Sequence, residues 1–186
     1  MSERRVHRGA QFELVTERVA LPNGRSMLLD LLKHPGAAAV VPFLDDGRVL
    51  LIRQYRFAAG GYLLEVPAGK LDAGEAPETC AARELEEETG YRAGRLEKLG
   101  SIWPSPGFTD EKIHLFAAFE LERAEQRLEA DEIIELVPMA FETALRAIRE
   151  GDIQDAKSGM ALLLAAEKQR ADRDRSAGEA RPRRDE

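Results

Sequence analysis

Between Gly69 and Tyr91 the chain reads GKLDAGEAPETCAARELEEETGY, and its glutamates are spaced for metal chemistry. Glu84, Glu87 and Glu88 stand at i, i+3 and i+4, so a helix projects all three from one face. Like charges at that spacing repel by about 0.2–0.5 kcal/mol per pair on an exposed helix. A hard divalent cation turns that repulsion into attraction, because Mg²⁺ prefers oxygen ligands from carboxylates and substrate phosphates. A run of glutamates alone usually marks a solvated helix face. Here it is joined by Gly69, Glu75, Arg83, Leu85 and Gly90, and Arg83 can pair with Glu87 one turn on.

These residues match G-x5-E-x7-R-E-U-x-E-E-x-G-U at every defined position, with U aliphatic or aromatic. The segment resembles the Nudix box, the signature of Nudix hydrolases. The resemblance implies hydrolysis of a nucleoside diphosphate linked to another group. It implies Mg²⁺ as cofactor, with Mn²⁺ able to substitute. It makes Glu84 and Glu88 the firmest metal ligands, Glu87 a third or a water-mediated one, and the Ala68 carbonyl the group that completes the set. Arg83 and Glu75 are expected to orient the loop and helix, as partners behind a metal site generally do.

Outside the box, Pro106 follows Gly90 by sixteen residues, within SIWPSPGFTDE. That spacing is similar to the ADP-ribose pyrophosphatase branch, and so are RQYR at 53–56, HPGAA at 34–38 and GDIQDAK at 151–157. By this resemblance Pro106 shapes the pocket for the terminal ribose and Glu111 accepts its hydroxyls. Arg53 and Arg56 follow a strand and are candidates to grip phosphates, which guanidinium groups bind bidentately; Arg56 is the better of the two. Glu132, in the acidic stretch EADE, aligns with a loop glutamate that binds metal or activates water as the loop closes. Ala130 stands where the family pattern offers another acid, which leaves the identity of the base open. Arg83, Glu87 and Glu132 are thus the catalytic candidates. The expected substrate is ADP-ribose, split to AMP and ribose 5-phosphate. GDP-mannose or flavin adenine dinucleotide is the alternative, and a non-catalytic ADP-ribose sensor is a reading of another class.

Composition sets the frame. A chain of 186 residues with 44% apolar and 33% charged residues fits one soluble globular domain. A net charge of −7 argues against general nucleic-acid binding, which needs a basic face. Cys80 is the sole cysteine, so no intrachain disulfide forms, and a reducing cytoplasm is expected. The first residues show no apolar targeting stretch, and no apolar run is long enough to span a membrane.

The elements that must position these residues follow from pattern. Two strands between Gln11 and Leu32 are joined at Pro22-Asn23-Gly24, and Ala37–Leu44 with Arg48–Gln54 reads as a second hairpin about Asp45-Asp46-Gly47. A strand from Tyr62 to Pro67 delivers the chain to Gly69. Pro77 suits a helix start and Gly90 the residue past its end, with Ala81, Ala82, Leu85 and Thr89 facing the core. Further strands are expected at 96–103, 113–121 and 133–137, and helices at 140–150 and 157 to about 168. From 169 to 186 no large apolar residue anchors the chain, so a disordered charged tail is expected. The pattern predicts an α/β fold with a mixed sheet, and the resemblance implies the Nudix α/β/α sandwich. It comprises an N-terminal β-hairpin region over 1–36, the hydrolase domain over 37–168 and the tail. The hairpin region is expected to make a homodimer, as in similar hydrolases.

Overall fold

The computed structural model describes residues 3–9, 12–130 and 132–179. Strands β1 (Glu3–Arg8), β2 (Glu13–Ala20) and β3 (Ser26–Lys33) form an antiparallel sheet in the order β1-β2-β3. The β2–β3 turn forms at the expected place, with Gly24 at φ 79°. The strand β1 was not visible in the sequence, where its residues show no apolar alternation.

The remaining strands are β4 (Ala37–Pro42), β5 (Arg48–Arg56), β6 (Gly61–Glu65), β7 (Ala68–Lys70), β8 (Tyr91–Ile102), β9 (Ile113–Arg123) and β10 (Ile134–Ala140). They form a mixed sheet, β7-β4-β9-β8, in which only β4 and β9 run parallel, and an antiparallel sheet, β10-β5-β6. Three helices pack on them: α1 (Pro77–Thr89), α2 (Phe141–Glu150) and α3 (Ala156–Glu179).

All six residues of β4 are buried, and strand alternation explains how. Ala37, Ala39 and Val41 join Ile113, Leu115 and Ala117 in a core shared with α2 and α3. Ala38 and Val40 join Phe116 and Ala118 against Cys80, Ala81 and Leu85 of α1. The helices therefore cover opposite faces of the mixed sheet, which is the α/β/α sandwich the resemblance implied.

Two expectations need correction. The turn after β4 forms, with Gly47 at φ 79°, its N–H donating to the Leu44 carbonyl at 2.9 Å and Leu44 N–H donating to the Arg48 carbonyl at 2.8 Å. Beyond the single Phe43–Val49 bridge, however, β4 and β5 part into different sheets. Both are apolar on two faces, and each needs two covered faces, which a simple hairpin does not provide. The second correction concerns the tail. The last helix continues past the expected end near Lys168 to Glu179. Residues 171–176 are exposed, so the extension holds by local means: good helix formers and i,i+3 pairs, Arg170–Glu167 at 2.9 Å and Arg175–Asp172. The expected tail from 180 onward lies outside the described residues. Among the described residues no helix is long and apolar enough to cross a membrane.

Candidate active site

The site is built around α1. Pro77 opens the helix and Gly90, at φ 68°, closes it with its N–H on the Glu86 carbonyl. Its buried stripe contains Cys80, Ala81, Glu84, Leu85, Glu88 and Thr89, while Ala82 is only half-buried. The glutamate face thus turns inward, against the β6–β7 segment. There the bare backbone of Gly69 makes room for the Glu84 carboxylate, which a Cβ at that position would displace. The Ala68 N–H donates to Glu88 Oε2 at 2.9 Å. Cys80 packs as a buried thiol whose pKa is pushed up to about 12, first by burial and then by the charges of Glu84 and Glu75.

Arg83 organises the acids. Its Nε and Nη2 grip Glu75 at 3.0 Å each, and its Nη1 bridges Glu84 Oε1 at 2.7 Å and Glu87 Oε2 at 3.1 Å. Glu75 also accepts the Asp72 N–H at 3.0 Å, which closes the loop before the helix. The Arg83 bond holds the Glu75 carboxyl down at about pKa 2. One side chain thus ties Glu75, Glu84 and Glu87 together.

Glu88 is in the opposite condition. It is 1% exposed, and among the described residues no cation is bonded to it. Its pKa is pushed well above the usual range, first by burial and then by the charges of Glu84 and Glu132, against the pull of the Ala68 N–H. Burial also raises Glu84, with Arg83 opposing and Glu87 and Glu132 adding to it. Among the described residues no three such acids converge on one point, and Arg83 bridges Glu84 and Glu87. The donor chemistry nonetheless fits a hard divalent cation: oxygen atoms only, excess negative charge, and one buried carboxylate with no cation bonded to it among the described residues.

Glu84, Glu87 and Glu88 line a cavity of about 630 Å³, together with Arg56, Lys157, Glu111 and Glu132. Glu111 lies 3.7 Å from His34 Nε2, and its N–H is held by Thr109 Oγ1 at 3.1 Å. Glu132 sits on the loop before β10, its Oε2 accepting the Glu129 N–H at 2.8 Å. The stem of that loop is fastened to the end of α1. Ala124 N–H donates to the Gly90 carbonyl at 2.8 Å, Gln126 Nε2 to that of Glu88 at 2.7 Å, and Arg127 N–H to that of Glu87 at 2.8 Å.

Two expected substrate contacts are absent from this cavity. Arg53 and Arg56 differ by three along β5, so alternation sends them to opposite faces. Arg56 enters the cavity, whereas Arg53 lines a separate one of about 370 Å³, stacked 4.0 Å from the Tyr62 ring and paired with Glu135 at 2.9 Å. Pro106 is exposed at the tip of its turn, and Pro104 lines the wall instead. The sequence reading also passed over Glu65 and Lys157. The available signal was a lone acid in the apolar run Leu63-Leu64-Glu65-Val66, where an unpaired charge would be costly.

The fold and the acid-lined cleft define a class, and comparison with known proteins agrees with it. The NUDIX domain model matches residues 33–159, and the chain belongs to that family. It is 40% identical over 164 residues to the ADP-ribose pyrophosphatase of Bacillus subtilis (strain 168), covering 87% of this chain and 89% of the relative. It is 42% identical over 137 residues to the GDP-mannose pyrophosphatase of Cronobacter sakazakii (strain ATCC BAA-894), covering 68% and 71%. A crystal structure described as an ADP compounds hydrolase shares the fold, with a TM-score of 0.82 at 24% identity over 92% of this chain and 94% of that one.

Proposed function

We propose that this chain hydrolyses the diphosphate linkage of ADP-ribose, releasing AMP and ribose 5-phosphate. The observation that carries the proposal is the pairing of walls in one cleft: Glu84 and Glu88 of α1 on one side, Arg56 on the other. A bound Mg²⁺, or Mn²⁺ in its place, would neutralise the diphosphate oxygens and lower the pKa of the attacking water. Glu84, Glu87, Glu88 and the Ala68 carbonyl would hold it. Arg56 binds phosphate oxygens and Glu132 takes the water's proton. Glu111 accepts the terminal ribose hydroxyls, a contact that selects strongly because a wrong substrate leaves it unpaired. Arg83 fixes the spacing of the acids.

GDP-mannose is the second reading, supported by the relative of that activity. A panel of nucleoside diphosphate compounds, assayed with Mg²⁺ and with chelator, decides between them. ADP-ribose should give the highest kcat/KM, and all turnover should stop in chelator. A tenfold preference for GDP-mannose would replace the substrate and leave the chemistry standing. The exposed Met27 and Leu28 of β3 support a homodimer formed through the N-terminal sheet, and the single buried thiol suits a cytoplasmic protein.

A further inference from the structure

The central strands β4 and β9 lead from one cavity to another. Ala37 and Ile113, at their starts, line the acid-walled cleft. Phe43 and Phe119, each six residues further on, line a second cavity of about 310 Å³. At about 3.3 Å per strand residue the two lie about 20 Å apart. They share no lining residue.

The floor of the second cavity is apolar. Phe43 and Phe119 stack there with ring centroids 5.1 Å apart and planes 5° from parallel, beside Leu99, Ala117 and Ala165. Phe43, Ala117 and Ala165 are buried members of the core under α2 and α3. An apolar cavity of about 150 Å³ already accommodates benzene, and ordinary small-molecule sites begin near about 300 Å³. The space here suits one ring and a short side arm.

The mouth is charged, and its charges are unevenly committed. Glu97 is held by Arg95 and by Lys168, the latter at 2.7 Å, and Asp172 is held by Arg175. Arg173 of α3 reaches the same mouth with no ion pair or hydrogen bond among the described residues. Each acid at the mouth therefore has a cation, and one cation has no acid. Glu120 adds an independent sign of a built site. Among the described residues it is the one non-glycine with positive φ, at 57°, a conformation that persists only where the surroundings enforce it. Its carboxylate accepts Arg95 Nε at 3.2 Å and so steadies that guanidinium 4.3 Å from the Phe119 ring.

We propose that this cavity is a second ligand site, for a small aromatic carboxylate. The ring rests on the Phe43–Phe119 floor, where aromatic contacts are favourable. The carboxylate meets Arg173, whose parallel N–H donors match its two oxygens. The site stands whether or not the acid-walled cleft splits ADP-ribose.

The test is equilibrium binding of cinnamate and of its neutral analogue cinnamamide to the full chain, for the wild type, Arg173→Gln and Gln169→Trp. Gln169 is half-buried at the mouth, so an indole there blocks entry without displacing the core. The wild type should bind cinnamate more tightly than cinnamamide. Arg173→Gln, an exposed change, should weaken cinnamate about fivefold and leave cinnamamide unchanged, the scale of one exposed charge-assisted contact. Gln169→Trp should abolish both, and ADP with Mg²⁺ should not displace cinnamate from the wild type. A wild type that binds no cinnamate up to its solubility limit would overturn the site. So would cinnamate affinity indifferent to Arg173→Gln, binding that survives Gln169→Trp, or displacement by ADP.

Discussion

Glu65 and Glu88 are both glutamates with 1% exposure, on opposite walls of one cleft, yet their surroundings treat them oppositely. Glu65 is met by Arg56 and Lys157, whose hydrogen bonds and charges outweigh burial and lower its pKa. Glu88 is met by one backbone N–H and by other acids, and its pKa rises. A buried charge that the protein neutralises itself is a framework part. One that it leaves unneutralised is reserved for something arriving from outside.

The comparison breaks most visibly in activity. Glu88→Gln and Glu84→Gln keep side-chain size and remove the charge, so turnover should fall by about 10²–10³ or more at saturating Mg²⁺. Near wild-type turnover in both variants would show that α1 does not carry the metal. Without divalent metal, Glu88→Gln should be as stable as the wild type or more so, because a crowded buried charge is gone.

Glu65→Gln should behave in the reverse way. Removing one member of a buried ion pair leaves its partners uncompensated, at about 3–5 kcal/mol. Arg56 is 40% exposed, which argues for about 3 kcal/mol, the lower end of that range. Urea unfolding of the two Gln variants side by side measures this directly. Equal stabilities would erase the distinction drawn between the walls.

The smallest effect sharpens the comparison through a third glutamate. Glu75 is paired like Glu65, but at the surface end of α1, with its folded pKa near 2 against an ordinary 4.5. A depressed carboxylate contributes stability that is complete above the ordinary value. That contribution is lost as pH falls from about 4.5 through about 2. Glu75→Gln should therefore lower stability at neutral pH and flatten its decline across that acid window. An acid limb identical to the wild type would remove Glu75 from the account.

Much of this was legible in the residues. The box gave α1 to its terminal residues, because Pro77 and Gly90 punctuate it and the acids recur at helical spacing. The β2–β3 turn was legible for the same reason. What escaped depended on partners distant in sequence. Strands β4 and β5 are joined by a good turn, and only the two-sided burial of each reveals that they belong to different sheets. Glu65 and Lys157 lie ninety-two positions apart, so neither signals the other. Arg53 is a different lesson: its three-residue offset from Arg56 already implied the opposite face of a strand. The helical extension after Lys168 was missed because disorder was inferred from missing apolar residues, while local helix preference needed none.

The fastening of residues 124–127 to the end of α1 has a consequence for how such a chain can diversify. The last carbonyls of the helix are satisfied before the loop proper begins, so the stretch from Leu128 to Ile133 can lengthen without exposing them. Doubling a flexible loop costs only about 0.6 kcal/mol in closure entropy. Arg127 is thereby a seam: upstream lies the helix end it fastens, downstream a stretch whose length around Glu132 can change without disturbing α1.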